Sequence, residues 1–133
     1  MAYIIACLMA SFSFIVNRFL VKHLGPKVII SSAPALEETA KTVLAFLLQA
    51  DILMTHTVFG VIEAGYDYRN SRRHKVGAAV ASIAGHTLFG MITVFILEAS
   101  GSLVLSLISA YAVHLGWNVL AVLVNARRKD KAT

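Results

Sequence analysis

The fold of this chain depends on residues 33–68, which read APALEETAKTVLAFLLQADILMTHTVFGVIEAGYDY. As a single helix this stretch would be about 54 Å long at 1.5 Å per residue, whereas the hydrocarbon core of a bilayer is about 30 Å thick. Its one polar interruption in the middle is Gln49-Ala50-Asp51. We therefore predict a reversal there, with helices over Ala33–Gln49 and Asp51–Tyr68 and with Asp51 as the cap of the second. A single helix that projects from the membrane is the alternative.

The composition of the whole chain favours a membrane protein. Of its 133 residues, 58% are hydrophobic and 14% are charged, whereas soluble domains have about 25% charged residues. A crossing helix needs about 20 mostly apolar residues, so the chain has room for four or five crossings and for no separate soluble domain. Its 12 Lys and Arg exceed its 7 Asp and Glu. Because these basic residues collect in loops and near residue 133, they indicate topology and contact with anionic lipids rather than nucleic-acid binding.

Three apolar spans flank the central stretch. Residues 2–22 predict an N-terminal transmembrane helix that ends at Gly25-Pro26. The next helix is expected to start at a serine cap, Ser31-Ser32, with Pro34 in its first turn. Residues 76–98 and 102–124 predict an antiparallel hairpin, and the small residues of 77–85 predict close packing of its first helix. We detect no internal repeat.

Together these patterns predict an all-α, polytopic integral membrane helix bundle that forms a single domain over residues 1–133. It would consist of four core helical segments within 33–124, one N-terminal transmembrane helix and a basic tail at 125–133, of which residues 127–133 are expected to be mobile. The basic loop at 69–75 and the basic tail place the C-terminus in the cytoplasm. With the reversal, Arg18, Lys22 and Lys27 fall on that side too. We expect the lipid bilayer as a partner, no nucleic acid, and a homo-oligomer as an alternative to a monomer.

Ionisable side chains inside apolar spans identify the candidate site, because they are costly there and usually face a bundle interior. They are Glu37, Glu38, Lys41, Asp51, His56, Glu63, His86 and His114, with Asn118 as a neutral companion. One of the adjacent glutamates can pair with Lys41 while the other faces a substrate; the spacing does not decide which. Asp51 and His56 are weaker candidates, and His56 is interpreted as structural.

The two histidines of the predicted hairpin lie at matching depths. His86 and His114 can therefore meet in the interior, and Asn118 shares the helix face of His114. Such a pair can donate hydrogen bonds to an oxyanion, although a lone membrane histidine is more often an interhelical hydrogen-bonding residue. Glu37 and Glu63 would be about 39 Å apart in one helix, so a shared site requires the reversal. Trp117 is either a packing residue or a wall of the site.

Four short motifs occur in order along these segments: EExxK at Glu37–Lys41, FxxxE at Phe59–Glu63, HxxxG at His86–Gly90 and HxxWN at His114–Asn118. This order resembles the PrsW family of intramembrane proteases, which belongs with the CAAX prenyl endopeptidases, the bacterial CPBP proteins and the scaffold subunit of gamma-secretase. The chain differs from the family pattern in having no Asp-Gly signature after Asp51.

The resemblance implies a glutamate-type peptidase in a prokaryotic cytoplasmic membrane that cuts transmembrane or membrane-anchored proteins without a cofactor. One of Glu37 and Glu38 would polarise a water, and His86 would orient it or shuttle its proton. His114 and Asn118 would stabilise the oxyanion. Lys41, Glu63 and Trp117 would support these residues, Glu63 standing where the prenyl endopeptidases carry a second histidine.

Three other functions remain open. A non-catalytic scaffold or chaperone subunit would keep the same polar core, and a small ion-coupled carrier would use intramembrane Glu and His as a relay. A zinc site formed by His86, His114 and Glu63 has a suitable set of ligands. We disfavour zinc because no HExxH spacing is present.

Overall fold

In the computed structural model the chain folds into five consecutive helices joined by short connections. The structure describes residues 1–25, 28–71 and 74–130, and side chains over 1–25, 32–71 and 74–124. The helices are α1 (Ala2–Leu24), α2 (Val28–Leu47), α3 (Ile52–Asn70), α4 (Lys75–Ser100) and α5 (Leu103–Asp130). No strand occurs in the described ranges, which confirms the all-helical class.

The predicted reversal in the middle of residues 33–68 is confirmed. Gln49 has a φ of 50°, in the left-handed region that commonly ends a helix. The N–H of Ala50 then donates to the carbonyl of Ala45 at 2.8 Å. Asp51 caps α3 as predicted, because its carboxylate accepts a hydrogen bond of 2.8 Å from the N–H of Met54. Helices α2 and α3 are therefore antiparallel, and the single long helix is excluded.

The predicted hairpin of the last two helices is also confirmed. Gly101 ends α4 with a φ of 66°, and its N–H donates to the carbonyl of Leu97 at 2.8 Å. The Ser102 hydroxyl accepts from the N–H of Leu105 at 3.2 Å, which caps α5. Glycine adopts the left-handed conformation without steric cost, so this short turn reverses the chain.

Two helix boundaries differ from the prediction. Helix α2 begins at Val28, before the predicted serine cap, so that Pro34 lies inside the helix. Proline removes one internal hydrogen bond, but packed membrane helices accommodate this loss. Helix α5 continues to Asp130, so the segment predicted to be mobile is helical over 127–130, because no glycine or proline interrupts that sequence. Pro26, Lys27, Arg72, Arg73 and residues 131–133 lie outside the described residues.

The distribution of apolar residues is inverted relative to a soluble protein. Large hydrophobic side chains such as Ile15, Phe95 and Val104 are 71%, 67% and 66% exposed. In contrast, the largest fully buried side chains include Lys41, His56 and His86. A soluble protein buries apolar residues and leaves lysine in water, so this surface is suited to lipid and not to solvent.

Three of the five helices are long and apolar enough to cross a membrane: α1, α4 and α5 over Leu103–Val124. Within the described residues, α2 and α3 do not meet that composition. Each carries three charged residues: Glu37, Glu38 and Lys41 on α2, and Glu63, Asp67 and Arg69 on α3. Five helices are present as expected, but among the described residues three of them, and not all five, have the composition of membrane spans.

Helices α3 and α4 pack closely through two glycines. A Cβ atom added to Gly60 would lie 2.8 Å from the Cβ of His86, and one added to Gly90 would lie 2.8 Å from the Cβ of His56. Each helix thus presents a glycine to a histidine of the other. Of the small residues at 77–85, which were predicted to pack closely, only Gly85 is fully buried, because Trp117 of α5 covers it.

Candidate functional site

The centre of the bundle is an ion pair on α2. Oε1 of Glu38 accepts hydrogen bonds from Nζ of Lys41 at 2.8 Å and from Nδ1 of His114 at 2.9 Å. Glu38 is 1% exposed and Lys41 is 0% exposed. A buried charge is tolerated when it is paired and hydrogen-bonded. Lys41 and His114 therefore engage Glu38 from two helices and occupy one of its oxygens.

A second chain of contacts runs from Lys41 through His86 to Glu63. Nζ of Lys41 lies 2.9 Å from Nδ1 of His86 and 4.2 Å from the ring centroid of Phe59. Because an ammonium group only donates, Nδ1 of His86 accepts, and its proton is on Nε2. Nε2 then donates to Oε2 of Glu63 at 2.5 Å. The contacts thus fix the tautomer and the orientation of His86.

Glu37 is placed differently from its neighbour Glu38. Its Oε1 accepts a hydrogen bond of 2.8 Å from the amide of Asn17 on α1. One oxygen of Glu37 and one ring nitrogen each of His86 and His114 lie within 4.8 Å of one another, and all three residues are buried. These three groups come from α2, α4 and α5, and polar atoms at such separations are close enough to share hydrogen bonds with one water molecule.

Aromatic contacts fix the two histidines at this point. The rings of His86 and His114 meet edge to face with centroids 5.3 Å apart. Phe89 stacks on His114 at 4.3 Å and contacts the edge of Trp117 at 6.2 Å. The prediction that His86 and His114 meet is therefore confirmed, and Trp117 lies next to them as a packing residue over Gly85.

The structure brings together most of the residues that the sequence suggested. Glu37, Glu38, Lys41, Glu63, His86 and His114 are linked by the contacts above. Asn118 lies on α5 one turn after His114 and is half-buried. Asp51 lies apart from the cluster, at the tip of the α2–α3 connection, where it acts as a helix cap.

Sequence reasoning missed two residues of the cluster. Asn17 was not considered, and His56 was interpreted as structural, yet both contact the paired glutamates. Nε2 of His56 is 3.0 Å from Oγ1 of Thr42, and its Nδ1 is 3.6 Å from Oε2 of Glu38. His56 is as deeply buried as Lys41.

A repeat in the sequence could have identified His56. Residues 56–60 read HTVFG and residues 86–90 read HTLFG, so the expectation of no internal repeat is wrong. In the antiparallel pair of α3 and α4 each histidine faces the glycine of the other copy, and Oγ1 of Thr87 is 3.4 Å from Oγ1 of Thr57. The repeat predicts that His56 and His86 reach corresponding depths.

The donor set also resembles a metal site. Glu37, His86 and His114 could hold a metal ion, with Glu37 in place of the Glu63 that the sequence suggested. Two imidazoles and a carboxylate suit zinc. However, the ammonium group of Lys41 lies 2.9 Å from His86, and a second cation beside it would be repelled. The carboxylates of Glu37, Glu38 and Glu63 lie in the same cluster and attract a cation, so charge alone does not select between a water molecule and a divalent ion.

No protein-family model, no curated protein and no solved structure matches the chain. The resemblance to the PrsW family therefore stays an expectation from the motifs, and the site is interpreted from its own geometry.

Proposed function

We propose that the chain is an integral membrane protein that hydrolyses peptide bonds of membrane-embedded proteins, with Glu37 as the base that activates water. The apolar surface and the three membrane-length helices support its insertion into a bilayer. A buried cluster of acidic and basic groups in such a protein usually has a function, because it is costly to maintain. The C-terminus would lie in the cytoplasm, together with the connections that follow α1 and α3.

The observation that carries this proposal is the different environment of the two adjacent glutamates. Glu38 is engaged with Lys41 and His114, whereas one oxygen of Glu37 lies within 4.8 Å of a ring nitrogen of His86 and of His114. A general base needs a carboxylate within reach of a water and of the substrate. The geometry therefore favours Glu37 as the base and Glu38 as the residue that positions its neighbours.

The proposed reaction is a hydrolysis in which Glu37 accepts a proton from the water as the water oxygen bonds to the carbonyl carbon. His86 lies beside this water, and its two ring nitrogens are engaged by Lys41 and Glu63, so its part is to hold these two residues in place around the water. Asn118 donates to the oxyanion that forms. His114 uses its Nδ1 proton for Glu38, so it donates from Nε2 as well only when the ring is an imidazolium. Return of the proton from Glu37 to the amide nitrogen lets the carbon–nitrogen bond break, which yields a carboxylic acid and an amine.

Access to this site would come from the side of Glu63, whose side chain is 29% exposed while the other charged groups of the cluster are buried. A transmembrane substrate must be locally unwound before its backbone can be cut, because helical hydrogen bonds hide the peptide groups. We expect a substrate segment with small or helix-breaking residues near its cleavage point.

A metal-dependent hydrolase is the second candidate, because Glu37, His86 and His114 form a plausible set of ligands. The contacts of His86 weigh against it, because Lys41 and Glu63 already engage both of its ring nitrogens. A chelator separates the two candidates. It removes a bound metal ion and abolishes metal-dependent cleavage, whereas cleavage by a water that Glu37 activates is unaffected.

The test uses the full chain purified into nanodiscs and a panel of transmembrane peptides whose cleavage is followed by mass spectrometry. We expect cleavage that survives a chelator. We expect Glu37→Gln to lose at least about a thousand-fold in kcat, because the base is gone. Glu98→Gln, an exposed glutamate on α4, is the matched control and should retain full activity. Full activity in a folded Glu37→Gln protein would refute the proposal. Absence of cleavage by the wild-type chain would favour a scaffold subunit.

A further inference from the structure

His56 is a fully buried histidine to which the proposed reaction gives no role. It lies on α3, is 0% exposed, and belongs to the first copy of the repeat. Gly90 of α4 allows the close approach that buries it, because a Cβ at that position would collide with its side chain. The sequence thus keeps a polar ring at a position where an apolar side chain would be cheaper to bury.

Two buried polar atoms face each other at this histidine. Nδ1 of His56 and Oε2 of Glu38 both lack a hydrogen-bond partner within the described part of the chain, and they are 3.6 Å apart. The other nitrogen of the ring, Nε2, is 3.0 Å from the hydroxyl of Thr42. An unsatisfied buried atom is costly, so two that face each other indicate a shared proton.

The contact with Thr42 allows two arrangements of protons. If Nε2 donates to the Thr42 hydroxyl, Nδ1 carries a lone pair that faces a carboxylate oxygen, and the two repel. If the Thr42 hydroxyl donates to Nε2, the proton lies on Nδ1 and points at Glu38. Only the second arrangement provides a donor for Oε2, and a movement of a few tenths of an ångström brings the pair within hydrogen-bond distance.

We propose that His56 is a positioning residue that carries its proton on Nδ1 and donates it to Glu38, while Thr42 holds its other nitrogen. Glu38 then accepts from Lys41 on α2, from His56 on α3 and from His114 on α5. One carboxylate thereby ties three helices together at the level of the site. The role of His56 is to keep both oxygens of Glu38 engaged, so that Lys41 and His114 stay in place.

The effect on catalysis rests on the proposed function. Because His56 acts through Glu38 and not on a substrate, its loss should lower kcat and leave KM unchanged. The position of the proton does not depend on any activity, so it can be measured even if the chain cuts no peptide.

The first test is nitrogen NMR of the full chain in nanodiscs with ¹⁵N-labelled histidine. The signals of His56 are assigned by their loss in His56→Gln. We expect Nδ1 in the range of a protonated ring nitrogen and Nε2 in the range of an unprotonated one. A proton on Nε2, alone or in addition, would overturn the inference. Thr42→Ser should keep this pattern because the hydroxyl remains.

The second test compares two substitutions, each of which keeps a polar group near one of the two ring nitrogens. The amide of asparagine lies near the position of Nδ1 and can still donate to Glu38, whereas that of glutamine lies near Nε2 and reaches Thr42 instead. We expect His56→Gln to lower kcat about ten-fold, because a hydrogen bond to a charged group is lost. We expect His56→Asn to keep most of the wild-type kcat. Equal losses in two variants with the same melting temperature would contradict the role, whereas an inactive wild-type chain would refute the peptidase proposal alone.

Discussion

Asn17 of α1 donates a hydrogen bond of 2.8 Å to Oε1 of Glu37 on α2, across twenty residues of sequence. The first helix, which was predicted as an N-terminal transmembrane helix outside the four-segment core, therefore contributes a side chain to the cluster. Oδ1 of Asn17 and Oγ of Ser13, one turn away on the same helix, are buried without a hydrogen-bond partner in the described residues. This face of α1 is polar where it meets the proposed base.

Replacing Asn17 should impair activity through the orientation of Glu37. We expect Asn17→Ala to lower kcat about ten-fold, because a hydrogen bond to a charged group is lost. Asn17→Asp should be more damaging, since it sets a second carboxylate against Glu37. The peptide cleavage assay measures both. Ser11→Ala, at an exposed position on α1, is the control, and an Asn17→Ala protein as active as this control would contradict the role of α1.

The two glycines between α3 and α4 should be intolerant of alanine. Gly60→Ala and Gly90→Ala each place a Cβ 2.8 Å from the Cβ of a histidine, so the helices must separate at a cost of about 1–3 kcal/mol. Gly65→Ala and Gly77→Ala are the matched controls on the same two helices, because nothing lies within 4 Å of the added atom. Unfolding in mixed micelles measures the difference.

In the control variants alanine should be neutral or slightly stabilising, since its helix propensity exceeds that of glycine by about 1 kcal/mol. If all four variants unfold alike, the close contact of α3 with α4 does not contribute to stability.

The buried pair of Lys41 and Glu38 should show strong coupling in a double-mutant cycle. Lys41→Met leaves an uncompensated carboxylate in the interior, which costs about 3–5 kcal/mol. Adding Glu38→Gln removes that charge, so the double variant should be more stable than Lys41→Met alone. Unfolding free energies of the four proteins give the coupling, and simple additivity would show that the two side chains do not interact.

The order of the helices predicts which connections share a side of the membrane. In a Cys7→Ser background, single cysteines at Ala50 and Ser100 should react with an impermeant reagent from one side. Cysteines at His23 and Ser71 should react from the other side only. Labelling of Ala50 and Ser71 from the same side would mean that α3 does not cross the bilayer.

The parts of the fold that were predictable from sequence depend on local chemistry and length. A stretch of 36 residues is too long for one span, and Asp51 in its middle is a good helix cap, so the reversal followed. His86 and His114 were expected to meet because an antiparallel hairpin brings matching depths together. The prediction of where α2 begins was wrong, because it placed Pro34 in the first turn of the helix. A packed membrane helix accommodates proline in its interior.

The missed residues depend on contacts that sequence spacing does not encode. Asn17 is a lone polar side chain in an apolar helix, and only the packing of α1 against α2 shows that it reaches Glu37. The partners of His56 depend on the register of α2 against α3. The spacing of residues along the sequence does not give that register. The repeat at residues 56–60 and 86–90 was the available signal, but it is too short to be found by a search for long periods.

The contact between His114 and Glu38, separated by 76 residues of sequence, has a consequence for biosynthesis. While the ribosome is still making α5, Glu38 and Lys41 are already within α2, but Glu38 lacks its contact with His114. Helix α2 alone would place these charges against hydrocarbon. We therefore expect α2 to stay bound to the translocon or a chaperone, and to enter the lipid phase only after α5 has been synthesised. A chain that stalls before residue 103 would be retained there and degraded.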